Sequence, residues 1–379
     1  MSTTMYHERS ATRTWGGHPT NRCPQALLDA YQEIVGEKRI NWTEHHSLIR
    51  LLGSGGQGVV YLTERRSTDN FTLPVALKVF TPEPYNSEHA YDESMGRIAH
   101  VAAIVAQIQQ DNLLDVHNWV DRHRIRLMEM EWIDGFDLNR LLDNRMLDHI
   151  RYRVSNRRWK EINEIIVTAG PTHPRLKPGI AIAIIRDCLA ALAALHRVRV
   201  VHGDLKPSNI MIKRTGNAKI VDIGSAFELE NLPPMRTCTP AYAAPEVLEG
   251  NESTPRSDLA SLGYVLIQML SGTPPFAGRT SFPDLLEAKR LLAQRLPKIL
   301  PEEVVCNELL MTFCQGLIAP DPMRRFPSAE AADLVEQGAA SFHRQLVKSN
   351  LSSEYDNEIR LWLAELEDYQ PPTEAIVQE

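Results

Sequence analysis

Val200-Val201-His202-Gly203-Asp204-Leu205-Lys206-Pro207-Ser208-Asn209-Ile210-Met211 packs an aspartate, a lysine and an asparagine into six residues between an apolar helical run and an apolar strand. Such a loop can present a carboxylate to a hydroxyl, an ammonium to a phosphate and an amide oxygen to a magnesium ion. Taken alone, it is also a polar turn with an Asx cap. Thirteen residues after Asn209 stands Asp222, within Lys219-Ile220-Val221-Asp222-Ile223-Gly224. A carboxylate that closes an apolar strand just before a glycine is a good magnesium ligand.

Two upstream stretches point to the same chemistry. In Leu52-Gly53-Ser54-Gly55-Gly56-Gln57-Gly58-Val59-Val60, the glycines at 53, 55 and 58 let backbone amides approach a polyphosphate with no Cβ in the way. A flexible turn has the same spelling. Here a strand, Val59–Glu64, follows instead of the long helix a dinucleotide-binding fold requires, so the loop is expected to lie over phosphates. In Val75-Ala76-Leu77-Lys78-Val79, alternation puts Ala76 and Lys78 on one face and Val75, Leu77 and Val79 on the other. A lysine on an inward face needs an anionic partner, which phosphate supplies. An edge-strand lysine is the plainer alternative.

Around these motifs the pattern changes once. From Ser47 to about Ile133 short apolar runs alternate, with one helical run from His89 to Gln109. From Leu138 onward helical periodicity dominates, in Ile180–Arg197, Leu259–Leu270, Phe282–Gln294, Glu302–Leu317 and Ala329–Gln345. The expected architecture is α+β and bilobal, a small strand-rich lobe before a larger helical one with a crevice between. We divide the chain into an N-terminal extension (1–46), a domain (47–343, lobes 47–133 and 134–343) and an acidic tail (344–379). The extension holds a helix-like patch, Gln25 to Val35, which either packs loosely or caps the first lobe.

Residues 140–177 form a basic insertion with Arg140, Arg145, Arg151, Arg153, Arg157, Arg158, Lys160, Arg175 and Lys177. Residues 352–379 of the tail are its opposite, with Glu354, Asp356, Glu358, Glu365, Glu367, Asp368, Glu374 and Glu379 against Arg360 alone, and Pro371-Pro372 expected to end its helix. The insertion is either a solvated basic face or a docking site for an acidic partner, the tail included.

A net charge of −7 and a pI near 6.0 argue against nucleic-acid or membrane binding by the whole surface. Five scattered cysteines (Cys23, Cys188, Cys238, Cys306, Cys314) suit free thiols in a reducing cytoplasm rather than disulfides or zinc. The apolar runs Ile180–Leu195 and Leu259–Leu270 carry Arg186, Asp187 and Gln268 and are expected to be buried helices. No secretory signal pattern opens the chain, and a cytoplasmic location is expected.

Over about residues 47–340 the motifs stand in the order and near the spacing of Hanks-type serine/threonine protein kinases, which the chain resembles. The resemblance implies transfer of the γ-phosphate of ATP to serine or threonine hydroxyls of proteins, with Mg²⁺ (or Mn²⁺). It implies that Lys78 holds the α/β-phosphates, Asp204 takes the hydroxyl proton, Lys206 meets the γ-phosphate, and Asn209 and Asp222 bind the metal. Glu131-Trp132-Ile133 resembles the hinge that bonds adenine, with Met130 as gatekeeper. Asp137 would reach ribose or substrate, and Leu52, Val60, Ala76 and Met211 would sandwich the adenine ring. Thr239-Pro240-Ala241-Tyr242-Ala243-Ala244-Pro245-Glu246 resembles the peptide-docking segment, whose Glu pairs with a late arginine, here Arg325. Asp258 would brace the catalytic loop.

Three departures carry consequences. Gly203 replaces the arginine that meets an activation-loop phosphate, so phosphorylation there, at Thr237 by position, is not expected to be the switch. His-Gly-Asp is also the spelling of small-molecule kinases of the aminoglycoside and choline type, although the glycine-rich loop, Lys206 and the Ala-Pro-Glu segment speak for a protein substrate. A nucleotide-binding pseudokinase scaffold is the other alternative, and it predicts loss of Lys78, Asp204 or Asp222. Ile223 replaces the usual Phe, with less area to pack between lobes. The helix partner of Lys78 is taken as Glu93, although counting back from Asn112-Leu113-Leu114 places that position nearer Val101, roughly 12 Å along the helix.

Overall fold

The computed structural model describes residues 13–15, 24–37, 39–41, 45–66, 71–233, 236–279, 281–347 and 355–366. Helix α1 (Gln25–Gly36) opens it and buries Leu27, Tyr31 and Ile34. The small lobe is built on six antiparallel strands: β1 (Arg39–Asn41), β2 (His45–Gly55), β3 (Gly58–Arg66), β4 (Thr72–Phe80), β5 (Val116–Arg122) and β6 (Ile125–Glu131), in the order β1-β2-β3-β4-β6-β5. From Val75 to Phe80 every residue of β4 is buried, so this strand is covered on both faces. Extension and lobe are continuous, since β1 and α1 belong to the small lobe, and α1 caps it rather than lying loose.

Helix α2 (Glu88–Val105) crosses behind the sheet. The Ser87 hydroxyl caps it by accepting from the Ala90 amide, 3.1 Å away, a contact worth about 1 kcal/mol. Tyr91, Met95, Ile98, Ala102 and Val105 form its buried stripe at helical spacing.

The larger lobe follows through β7 (Gly135–Asp137), α3 (Leu138–Leu141), α4 (Asn144–Arg151), α5 (Asn156–Ile165), α6 (Pro178–Arg197), β8 (Ile210–Lys213), β9 (Ala218–Ile220), α7 (Pro255–Ser271), α8 (Phe282–Ile299), α9 (Glu308–Ile318), α10 (Ala329–Leu334), α11 (Ala339–Val347) and α12 (Tyr355–Glu365). Proline opens α6 and α7, where its missing N–H costs nothing. Gly272 ends α7 with φ +66°, a backbone other residues adopt at a cost. Helix α6 is apolar and long enough to span a membrane, and 72% of its apolar window is buried inside the protein. It is a core helix, as the sequence indicates, and β7-β8-β9 form a small sheet beside the catalytic loop.

The insertion supplies α4 and α5 and a ribbon of Val167–Thr168 with Arg175–Leu176. Its basic residues do not form one free face. Arg158 donates to Glu358 and to Glu365 of α12, both at 2.8 Å, and Arg175 and Lys177 share Glu303. The tail helix docks: Tyr355, Ile359, Trp362, Leu363 and Leu366 are all buried, Trp362 completely. Glu354, Glu367, Asp368, Pro371, Pro372, Glu374 and Glu379 lie outside the described residues. A short strand, Arg13–Trp15, pairs antiparallel with Arg236–Cys238.

Candidate active site

Strand register places the cleft residues. Directly paired residues share a face, so the pairs Val60 with Lys78 and Ala76 with Met130 put these four side chains on one side of the sheet. Met211 pairs with Asp137 across β8 and β7, on the opposing lobe. Of the residues expected to sandwich adenine, Val60 and Ala76 thus share one face of the small-lobe sheet and Met211 lies on the larger lobe. Beyond Glu131 the hinge leaves the sheet, and among the described residues the Ile133 backbone carries no hydrogen bond, which leaves it able to meet a purine edge. The Glu131 side chain is turned away from the hinge, accepting from the Asp115 amide at 2.7 Å and from the Lys219 ammonium.

Lys78, 4% exposed, forms an ion pair with Asp222 at 2.5 Å and donates to the Gln57 amide oxygen at 2.8 Å. Burial would lift the Asp222 pKa, but the ammonium of Lys78, with help from Lys206, outweighs it and holds the carboxyl down at about 2. Asp222 sits at φ +62°, a conformation that costs a non-glycine residue roughly 1–3 kcal/mol and is held where function needs it. Glu93 does not pair with Lys78. It lies on the side of α2 opposite the buried stripe, its side chain 54% exposed and 3.6 Å from His89.

The catalytic loop is braced from below. Both oxygens of buried Asp258 are used: one accepts from the His202 amide (2.9 Å) and His196 Nε2 (2.9 Å), the other from the Gly203 amide (3.0 Å). Burial works against its charge, yet these bonds hold its pKa below the ordinary value. Gly203 has φ +77°, and a Cβ there would lie 3.0 Å from the Ser225 carbonyl oxygen. The glycine in His-Gly-Asp relieves a strained position.

Asp204 and Lys206 are 3.0 Å apart and nearly buried. The Thr239 amide donates to Asp204 at 2.8 Å, and Lys206 donates to the Thr239 hydroxyl at 3.1 Å. Thr239 thus ties the segment after it to the reacting pair, a role its place in the motif had not revealed. Asn209 donates from its amide nitrogen to the Asp204 carbonyl at 2.8 Å, which fixes which end of the amide is oxygen and leaves that oxygen as a hard donor. Together with Asp222 it is a donor set suited to a divalent cation that draws its other ligands from phosphate and water.

Glu246 and Arg325 form the expected pair, 2.7 Å on each arm. Asp137 is committed locally: it caps α3 by accepting from the Arg140 amide at 3.0 Å and pairs with the Arg140 guanidinium at 3.2 Å, while burial pushes its pKa up against that pairing. Arg140 also donates to the Leu52 carbonyl at 3.2 Å, bridging the lobes at the cleft mouth. Lys289, fully buried on α8, donates to the Ala241 carbonyl at 2.8 Å and stands over the rings of Phe276 and Tyr264 at 4.0 and 4.2 Å. Burial holds its pKa well below the usual lysine value. It had no signal in the sequence, being one lysine in an amphipathic helix.

Comparison with known proteins agrees with this geometry. The family profile described as "Protein kinase domain" matches residues 46–335. The serine/threonine-protein kinase PrkC of Bacillus subtilis is 27% identical over 304 residues, 78% of this chain and 40% of that protein. The serine/threonine-protein kinase PknD of Mycobacterium tuberculosis is 29% identical over 316 residues, 82% of this chain and 42% of that protein. The serine/threonine-protein kinase PknH of Mycobacterium bovis is 33% identical over 254 residues, 66% of this chain and 36% of that protein. The chain spans about two fifths of the length of these relatives. With the profile covering most of its length and the cleft built as described, this chain belongs to the protein kinase family, of the Hanks type.

Proposed function

We propose that this protein transfers the γ-phosphate of ATP to serine and threonine hydroxyls of proteins. The observation that carries the reading is the bonded unit of Asp204, Lys206 and Thr239. It joins the reacting carboxylate to the segment that docks a peptide. A small-molecule kinase has no use for that segment, and a pseudokinase would have lost Lys78, Asp204 or Asp222.

The residues divide the work. Lys78 neutralises the phosphates of a nucleotide held between Val60, Ala76 and Met211. The acceptor hydroxyl oxygen attacks the γ-phosphorus while its proton passes to Asp204, and the bond from that phosphorus to the β-phosphate bridging oxygen breaks, releasing ADP. Lys206, 3.0 Å from Asp204, offsets charge gathering on the transferred group. Asn209 and Asp222 would hold a magnesium ion, which screens the phosphate charge. Cys188, Cys238, Cys306 and Cys314 are free thiols, which supports residence in a reducing cytoplasm. The acidic partner of the insertion is, on this reading, the chain's own tail helix, through Arg158.

Incubation with radiolabelled ATP and magnesium, followed by phosphoamino-acid analysis, tests the proposal. Label on serine or threonine that vanishes in the Asp204→Asn protein is expected. Label unchanged by that substitution, or none on any protein while a small alcohol is labelled, would refute it.

A further inference from the structure

Helix α2 carries three acids, Glu88, Asp92 and Glu93, and none faces Lys78. Glu88 pairs with Arg124, Asp92 with Arg124 and Arg126, and Glu93 with His89. The lysine nonetheless needs more than Asp222 to stay in place, because a metal ion would compete for that carboxylate. Its second partner is Gln57, at the tip of the glycine-rich loop, at 2.8 Å. The same amide is fixed from its other end, since its nitrogen donates to the Ser225 hydroxyl at 3.0 Å. Gly224 makes the approach possible: a Cβ there would lie 2.0 Å from the Gln57 amide oxygen and 2.9 Å from the Lys78 ammonium.

We infer that Gln57 is a positioning residue, whose amide oxygen holds the Lys78 ammonium toward the phosphate site in place of an acid from α2. An uncharged acceptor suits this place. It orients the ammonium without cancelling its charge, so the lysine keeps its attraction for phosphate when Asp222 turns to a metal ion. The bridge to Ser225 sets the height of the loop above the site, so the loop and the Asp222 turn act on the lysine together. The inference rests on the kinase reading for the identity of the ligand.

Calorimetric titration with ADP, and separately with adenosine, tests it. Gln57→Leu keeps the side-chain size and removes the acceptor. It is expected to weaken ADP about tenfold, the loss of roughly one hydrogen bond to a charged group, and to leave adenosine unchanged, because adenosine has no phosphate for Lys78 to meet. In the Lys78→Met protein, Gln57→Leu is expected to change ADP affinity less than about twofold, since its effect runs through the lysine. Gly224→Ala should reproduce the ADP-specific loss by crowding the amide. Unchanged or improved ADP binding by Gln57→Leu, equal weakening of adenosine, or a full further loss in the Lys78→Met background would each overturn the inference. A wild-type protein that binds neither ligand would instead overturn the kinase reading beneath it.

Discussion

Removing Arg325 should cost this protein far more than its place just after a single helical turn, Pro322–Arg324, suggests. The guanidinium is almost fully buried and grips Glu246 with two 2.7 Å bonds, while its remaining N–H groups donate to the carbonyls of Ala319, Arg256 and Pro320. Arg325→Leu leaves the Glu246 carboxylate buried with the Ser257 hydroxyl, 2.8 Å away, as its remaining donor. Breaking a buried pair from one side costs about 3–5 kcal/mol. Glu246→Leu is milder, about 2–3 kcal/mol, because the guanidinium keeps its three carbonyls and is left short of only its counter-charge. The double substitution leaves no unpaired charge, so its loss should fall short of the sum of the singles by about 2–3 kcal/mol. Urea unfolding at constant slope measures all four proteins. Singles that add to within about 0.5 kcal/mol, or an Arg325→Leu loss near 1 kcal/mol, would refute the claim that this pair anchors the peptide-docking segment.

Two further substitutions probe parts away from the phosphate-binding residues. Lys289→Met should keep the fold within about 1 kcal/mol, since an apolar chain of similar volume replaces a buried cation, but it frees the Ala241 carbonyl and should raise KM for a peptide substrate several-fold with KM for ATP unchanged. The pKa of Lys289 is depressed by burial, so the unfolded chain binds the extra proton. Wild-type stability relative to Lys289→Met should therefore rise with pH toward the ordinary lysine value near 10.4, and a flat or falling difference in urea titrations would contradict the buried placement. Trp362→Ala removes the largest fully buried side chain of the tail and should cost about 3–5 kcal/mol, enough to release α12. Hydrogen exchange over residues 355–366 that stays slow in this protein would count against tail docking.

The parts of the site that were legible in sequence are those made by a few consecutive residues. Asp204, Lys206 and Asn209 sit in one loop, and Asp222 follows the β8–β9 hairpin that returns to it, so short spacing brings them near each other. Lys78 was legible because a strand's period of two admits just two faces. Glu93 was misread because its direction depends on how α2 is rotated against the sheet. That rotation was available in the pattern: Tyr91, Met95, Ile98, Ala102 and Val105 make an apolar stripe, and Glu93 lies some 200° around the helix from Tyr91 at 100° per residue. The roles of Gln57 and Lys289 are tertiary in origin. Their partners, Ser225 and Ala241, lie 168 and 48 residues away in the chain. No local pattern connects residues that distant.

The same geometry decides what holds the two lobes in register. Where a helix acid pairs with the β4 lysine, displacing the helix breaks a buried ion pair. Here α2 packs on the Ile223–Ser225 turn and on Phe227–Glu228, and its ion pair there, His100 with Glu228 at 3.0 Å, is more than half exposed on the histidine side, so that pair is worth under ~1 kcal/mol. The Lys78 bond to Gln57 is a part-buried bond to a charged donor, worth about 1.5 kcal/mol at the lower end of the range for such bonds. Lys78, Gln57 and Asp222 are therefore bonded to one another with no acid from α2 among them, and α2 bears on this unit by packing on the Ile223–Ser225 turn, which Gln57 also reaches through Ser225.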